Sequence, residues 1–262
     1  KKLAPGESCE AFIPNAKGRI LGHGLISCRE NELVFVGTPN QAIRIIEHLN
    51  RYVIREDVQL RDTTAERSYL LLSGDATADG RAVDGGMFFR WNLVDGNEVG
   101  VLELHPEALN ACLIELRGRG CVVVDSPAFT AARIEAGVPL FGVDFDEHNF
   151  PQEVDRDREA ISFTKGCYLG QETVARIDAL GHVNQKIVGV LFTGAEVPAV
   201  GTELFKDGVK VGVVSSAAFS PRLRAPLALA MVRREANSAG TRLESAVGIG
   251  EVISLHSKSA GA

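Results

Sequence analysis

The chain has 262 residues, of which 45% are hydrophobic and 24% charged, enough to bury a real core in one large domain or two to three small ones. Its 28 basic and 34 acidic side chains leave a formal net charge of −6, which argues against a protein held to DNA or RNA by bulk electrostatics. No apolar stretch reaches the ~18 residues of a membrane span. Cys9, Cys28, Cys112, Cys121 and Cys167 are odd in number and form no C-x-x-C pair. That pattern fits a reducing, cytoplasmic setting better than a disulfide scaffold, and it gives no self-contained metal signature. The chain opens at Lys1-Lys2 without an initiator methionine, so a leading segment is expected outside this numbering.

In chain order, residues 20–28 read as a glycine-interrupted strand and 33–36 as a second, ending at Gly37-Thr38-Pro39. Ile43, Ile46 and Leu49 then fall at helical spacing after Pro39. Residues 52–54, 58–60 and 69–72 read as further strands, and the Gly/Ala/Asp-rich 74–86 as a loop or short irregular helix. Residues 88–93 and 98–104 form the arms of an expected hairpin around Asp95-Gly96-Asn97. A helix is expected over 108–117, a short apolar strand at Cys121-Val122-Val123-Val124, and a second helix over 126–136, with Pro127 in its first turn and Gly137 as its stop. Residues 138–160 read as an irregular crossing whose charge run, 153–159, is a solvated face. From residue 185 onward, strands at 186–192, 202–205, 209–215, 227–233 and 248–255 predict a small antiparallel barrel. The fold class is α+β with a largely antiparallel sheet, divided into 1–183 and a barrel domain over 184–262.

The run Lys165-Gly166-Cys167-Tyr168-Leu169-Gly170-Gln171-Glu172 is the strongest candidate site. Val174 and Ile177 share a stripe after it, so Cys167 lies just ahead of a helix start. Unpaired backbone N–H groups and Lys165 there favour a thiolate, below the ordinary thiol pKa of ~8.5. No histidine is assigned to Cys167 by spacing, with His182 as a candidate. Two readings stand at this point: a reactive cysteine, or a tight structural turn around a partly buried thiol.

The segment KGCYLGQETVAR resembles the signature of the YgfZ-like proteins, folate-binding relatives of the glycine cleavage T-protein (aminomethyltransferase) implicated in iron–sulfur enzyme maintenance. The resemblance extends through residues 131–144, 150–153 and 161–164, and to Ala16-Lys17-Gly18-Arg19-Ile20-Leu21. It implies a three-part ring around a reduced folate, with 1–183 as a folate-binding region of two interleaved modules and a leading strand and helix outside this numbering. It also implies that Cys167 is the motif thiol, with Lys165 beside it as a catalytic candidate. Gly166, Tyr168, Gly170, Gln171 and Glu172 belong to the cofactor-binding segment. Arg133 and Glu135 would line or support the folate cavity, the carboxylate of Glu135 accepting from the amino and N–H edge of the ring. The other role open to Arg133 and Glu135 is an ion pair that holds their helix to the core.

The chain departs from the aminomethyltransferases at Gly22-His23, where those enzymes carry an acidic pair. Without that carboxylate, folate binding is expected to persist and aminomethyl transfer to be poor. His23 is then either an acid–base substitute or a structural histidine. The resemblance implies a monomeric tetrahydrofolate-binding accessory protein serving iron–sulfur cluster assembly or repair, with iron–sulfur clients such as tRNA-modifying enzymes and no DNA or membrane partner. The alternatives are a folate-dependent aminomethyltransferase and a non-enzymatic binding module.

Overall fold

The computed structural model describes residues 3–91 and 99–255. It contains two compact units, one of residues 1–13 and 21–124, the other of residues 14–20 and 125–262. The expected turn at Asp95-Gly96-Asn97 lies outside the described residues.

In the first unit, β1 (Ser8–Pro14), β2 (Ile20–Cys28) and β3 (Leu33–Gly37) form a sheet in that order. Strand β2 pairs antiparallel with β3 from Gly24↔Gly37 to Cys28↔Leu33. Helix α1 (Ala42–Asn50) follows, but its buried face is not the one expected. Ile45 and His48 are buried, whereas Ile43 is 70% exposed. The cause lies in β2: a Cβ at Gly22 would stand 2.7 Å from Ile45 Cδ1, so the absent side chain makes the slot that Ile45 fills.

Residues 52–54 and 58–60 are not strands; Ile54 and Val58 are exposed. The Glu56 carboxylate accepts the N–H groups of Ile54 and Arg55, both at 3.0 Å, a local arrangement that competes with a sheet ladder. Strands β4 (Ser68–Ser73), β5 (Met87–Arg90) and β6 (Val99–Leu104) make a second antiparallel sheet with β6 in the middle. All of β6 is buried. Leu102 and Leu104 pack with Leu72, Val83, Cys112 and Leu116, the last two from α3 (Leu109–Gly118), while Val101 packs with Leu25 and Phe89. Of the two readings of residues 74–86, the short helix is the one that forms, as α2 (Ala76–Arg81). Residues 121–124 form no strand either; Val122, Val123 and Val124 are exposed and no described strand pairs with them.

The second unit opens with α4 (Ser126–Glu135), started by Asp125, whose carboxylate accepts Ala128 N at 3.0 Å, and by Pro127 in the first turn. The crossing that follows contains a 3-10 turn at Pro151–Glu153 and a four-residue helix, α5 (Asp157–Ala160). Its charge run is not a solvated face: Glu153 and Arg156 are buried. Glu153 stays inside because Oε2 accepts Asn149 Nδ2 (2.9 Å) and Phe150 N (3.1 Å). Helix α6 (Gln171–Leu180) leads into the barrel.

Strands β7 (Gln185–Phe192), β8 (Glu203–Lys206), β9 (Val209–Ser220), β10 (Ala225–Arg233), β11 (Arg242–Ser245) and β12 (Gly248–Ile253) close in the order β10-β7-β12-β11-β8-β9. Closure removes the sheet edges and encloses Val190, Phe192, Leu204, Val211, Val214 and Leu243. Burying a side chain such as Phe192 or Leu204 stabilises by about 1.5–3 kcal/mol. Strand β11 was not expected, since four residues with Leu243 as the buried one show little alternation. Strand β9 runs past its expected end at Ser215. Its pairing with β10 skips a residue there, Leu229 facing Ser216 and Ala230 facing Val214, so Ser215 is the extra residue of a β-bulge. The architecture is therefore α+β, with antiparallel sheets and a closed six-stranded barrel.

Candidate functional site

The segment 165–172 has a seat that its own sequence does not show. The turn joining β1 to β2 is tied by Asn15, whose Oδ1 accepts Lys17 N (2.8 Å) and Arg19 N (3.1 Å). Gly18 and Gly170 both adopt left-handed φ, 78° and 77°, and face each other. A Cβ on Gly170 would stand 2.5 Å from Asn15 O and 2.7 Å from Gly18 Cα, and one on Gly18 would meet Thr173 Cβ at 2.9 Å. Both glycines are thus required twice over, for backbone conformation and for close approach. Arg19 holds the turn from the other side, its guanidinium 3.7 Å from the Phe150 ring centroid and donating to His148 O.

On this seat Cys167 is exposed. Lys165 places Nζ 4.5 Å from the centroid of the Tyr168 ring, a cation–π contact that fixes the ammonium on the aromatic face. Burial pushes the Tyr168 phenol up from its ordinary pKa, so it stays neutral. Gln171 Oε1 accepts Tyr168 N at 3.4 Å, and Gln171 N returns a bond to Tyr168 O at 3.2 Å. Gly166 has open space where a Cβ would be. Glu172 is exposed in the first turn of α6, where a negative charge suits the helix dipole. His182 lies beyond the opposite end of α6, roughly 15 Å along the helix axis from the Cys167 end. It is no partner for the thiol.

Arg133 and Glu135 point to a different structure. The Asp144 carboxylate accepts four bonds: from Arg133 Nη1 (2.8 Å), Leu140 N (2.9 Å), Ser215 Oγ (2.7 Å) and Ser216 Oγ (2.6 Å). A regular strand sends successive side chains to opposite faces. The bulge at Ser215 is what brings two neighbouring hydroxyls to one carboxylate. Arg133 also donates to Val138 O and Ser216 Oγ, and its side chain is 5% exposed. Arg133 is therefore a buried strut between α4, the 138–144 loop and β9. Glu135, one turn end further, accepts from Ser220 Oγ and from Arg222 N (3.2 Å) on Oε1, while Oε2 has Arg222 Nε at 3.7 Å. Its side chain remains 18% exposed.

His23, in the first unit, is buried. Its Nε2 lies 2.9 Å from Glu10 Oε1, its ring 4.6 Å from that of Phe12, and its backbone N donates to Gln41 Oε1 at 2.8 Å. Trp91 Nε1 donates to the other oxygen of Glu10 at 3.1 Å. An indole only donates and an ionised carboxylate only accepts. Trp91 and His23 thus occupy the two oxygens of the buried Glu10 carboxyl. Glu10 and Trp91 carried no sequence signal, because their link to His23 runs across strands. Among the described residues, Asp146, Glu147 and His148 bring three ligand-type atoms within 4.8 Å of one another; all three are exposed.

Comparison with known proteins places this geometry. Residues 185–256, from β7 onward, match the glycine cleavage T-protein C-terminal barrel domain. The chain is 24% identical over 285 aligned positions to an Arabidopsis thaliana protein provisionally named a chloroplastic transferase, covering 97% of this chain and 62% of that one. It is 26% identical to the aminomethyltransferase of Aquifex aeolicus, covering 93% of this chain and 70% of the relative. The crystal structure of the glycine cleavage system aminomethyltransferase T from Bartonella henselae superposes with a TM-score of 0.82 at 20% identity, over 96% of this chain and 76% of that one, a likeness of fold. The chain is thus similar to aminomethyltransferases along most of its length, and to the glycine cleavage T-protein barrel domain over residues 185–256. It spans about three-fifths of the length of the Arabidopsis relative.

Proposed function

We propose that the protein binds tetrahydrofolate and acts as an accessory factor for iron–sulfur cluster assembly or repair, Cys167 being its reactive group. The superfamily similarities and the 165–172 segment support the folate part of this reading. One observation carries the accessory part. Where the resemblance places an acidic pair in the aminomethyltransferases, this chain has Gly22, whose space is filled by Ile45, and His23, turned inward onto Glu10. No carboxylate is presented from those two positions to steer an amine or iminium cation.

The residues present fit a reduced folate. Glu135 is half-sheltered, and its Oε2 has acceptor capacity beyond the 3.7 Å approach of Arg222. A carboxylate takes about four bonds, so it can accept the amino and N–H edge of a pterin while Oε1 keeps Ser220. Arg133 serves by holding α4, and with it Glu135, in place. When bound, folate supplies one-carbon carrier chemistry. Cys167, exposed on its two-glycine seat, is positioned to meet an electrophile, a sulfur atom or a transient metal.

Fluorescence titration with tetrahydrofolate tests the reading: saturable binding between micromolar and millimolar ligand is expected, and its absence overturns it. Incubation with an aminomethyl donor protein separates the accessory role from the transferase. Formation of 5,10-methylenetetrahydrofolate at an enzyme-like rate would replace the accessory role with a transferase.

A further inference from the structure

The crossing segment 151–160 stands between α6 and the barrel. Its Pro151–Glu153 turn packs against both α6 and β7, and Gln152 Nε2 donates to Val174 O inside α6 at 2.8 Å. Asp157 opens the short helix α5 just beyond. Its Oδ1 atom is buried without a hydrogen-bond partner among the described residues. Such an atom costs an ionised carboxylate far more than a protonated one, so burial there favours the neutral group.

The groups facing Asp157 come from three elements: Lys186 from β7, Asp178 from α6, and Asp155 and Glu159 from its own segment. Lys186 is already committed, its Nζ 2.5 Å from Asp155 Oδ1. Asp155 is held there at φ 62°, a left-handed conformation that a non-glycine residue adopts at a cost. The close ion pair of Lys186 is thus with Asp155, and Asp157 keeps a buried oxygen without a hydrogen-bond partner.

We propose that the 151–160 segment is a proton-operated clasp, tied to α6 by Gln152 and to β7 by the Asp155–Lys186 pair, and tighter when the buried Asp157 carboxyl carries a proton. Because α6 begins at the Gly170 cap, the clasp anchors the helix that follows the Cys167 segment, with a tightness set by pH. Burial first, against the attraction of Lys186 and with the repulsion of Asp155, Asp178 and Glu159, pushes the Asp157 pKa up to about 6. An unfolded aspartate titrates near ~3.9. The folded clasp therefore holds the extra proton between about pH 4 and pH 6. Its stabilising contribution is complete below pH 4 and is lost as pH rises through about 6.

Hydrogen exchange of the α6 amides in the full chain, at pH 5 and pH 7.5 and corrected for intrinsic rates, tests this. We expect opening of α6 to be about tenfold rarer at pH 5, with β9 and β10 amides showing no such change. Asp157→Asn is expected to give the low-pH protection at both pH values, and Asp178→Asn to recover part of it. Equal α6 protection at the two pH values in the wild type overturns the proposal. A carboxyl 13C titration of Asp157 in the wild type decides it without any variant: a midpoint below pH 5 sinks the clasp.

Discussion

In residues 131–144 the polar side chains are used on one another. Arg133 and Asp144 are buried, and the carboxylate is saturated by a guanidinium, a backbone N–H and two serine hydroxyls. In residues 165–172 the arrangement is reversed: Cys167 and Glu172 are exposed, Lys165 lies over a ring, and the ordering comes from glycine-to-glycine backbone contact. The first region resists change because the buried Arg133–Asp144 pair is held by several hydrogen bonds at once. The second leaves side chains accessible because its position is fixed through the main chain. Buried support and exposed side chains are thus built from different parts of one unit.

Variants that break this contrast should rank accordingly. Asp144→Ala leaves the buried Arg133 guanidinium without its counter-charge, so a loss of about 3–5 kcal/mol is expected in urea unfolding. A loss below about 1 kcal/mol would mean that the network is not the strut described. Gly170→Ala forces an alanine into a left-handed φ against Asn15 O, and about 1–3 kcal/mol should be lost. The rate of Cys167 alkylation should change in the same variant, since the seat shifts; an unaltered rate would uncouple the seat from the thiol. Cys167→Ser touches an exposed side chain and should alter stability by no more than about 0.5 kcal/mol, while removing the accessory activity in an iron–sulfur enzyme complementation assay. Full activity of that variant would favour the non-enzymatic binding module.

Local signals in the sequence carried a large part of this structure. Asp125-Ser126-Pro127 and Gly137 bracket α4, and the short alternating strands after residue 185 announce the barrel. Where the deciding partner is distant, local reading fails. Val122-Val123-Val124 has the composition of a strand but no described neighbour to pair with, and residues 153–159 look solvated until Asn149 and the backbone of Phe150 are seen to receive Glu153. The second serine on Asp144 depends on a bulge, which is a property of the pairing between β9 and β10 and not of either strand. The seat under the cysteine segment has the same character. Gly18 and Gly170 are each readable as permissive residues, but only the fold shows that each needs the other.

The most direct test of this division is a calorimetric titration of wild type and Cys167→Ser with tetrahydrofolate, run side by side. The account predicts saturable binding in both, with dissociation constants within about twofold, because Glu135 and its supports are untouched. No saturable binding in either protein, or binding lost with the thiol, would contradict it.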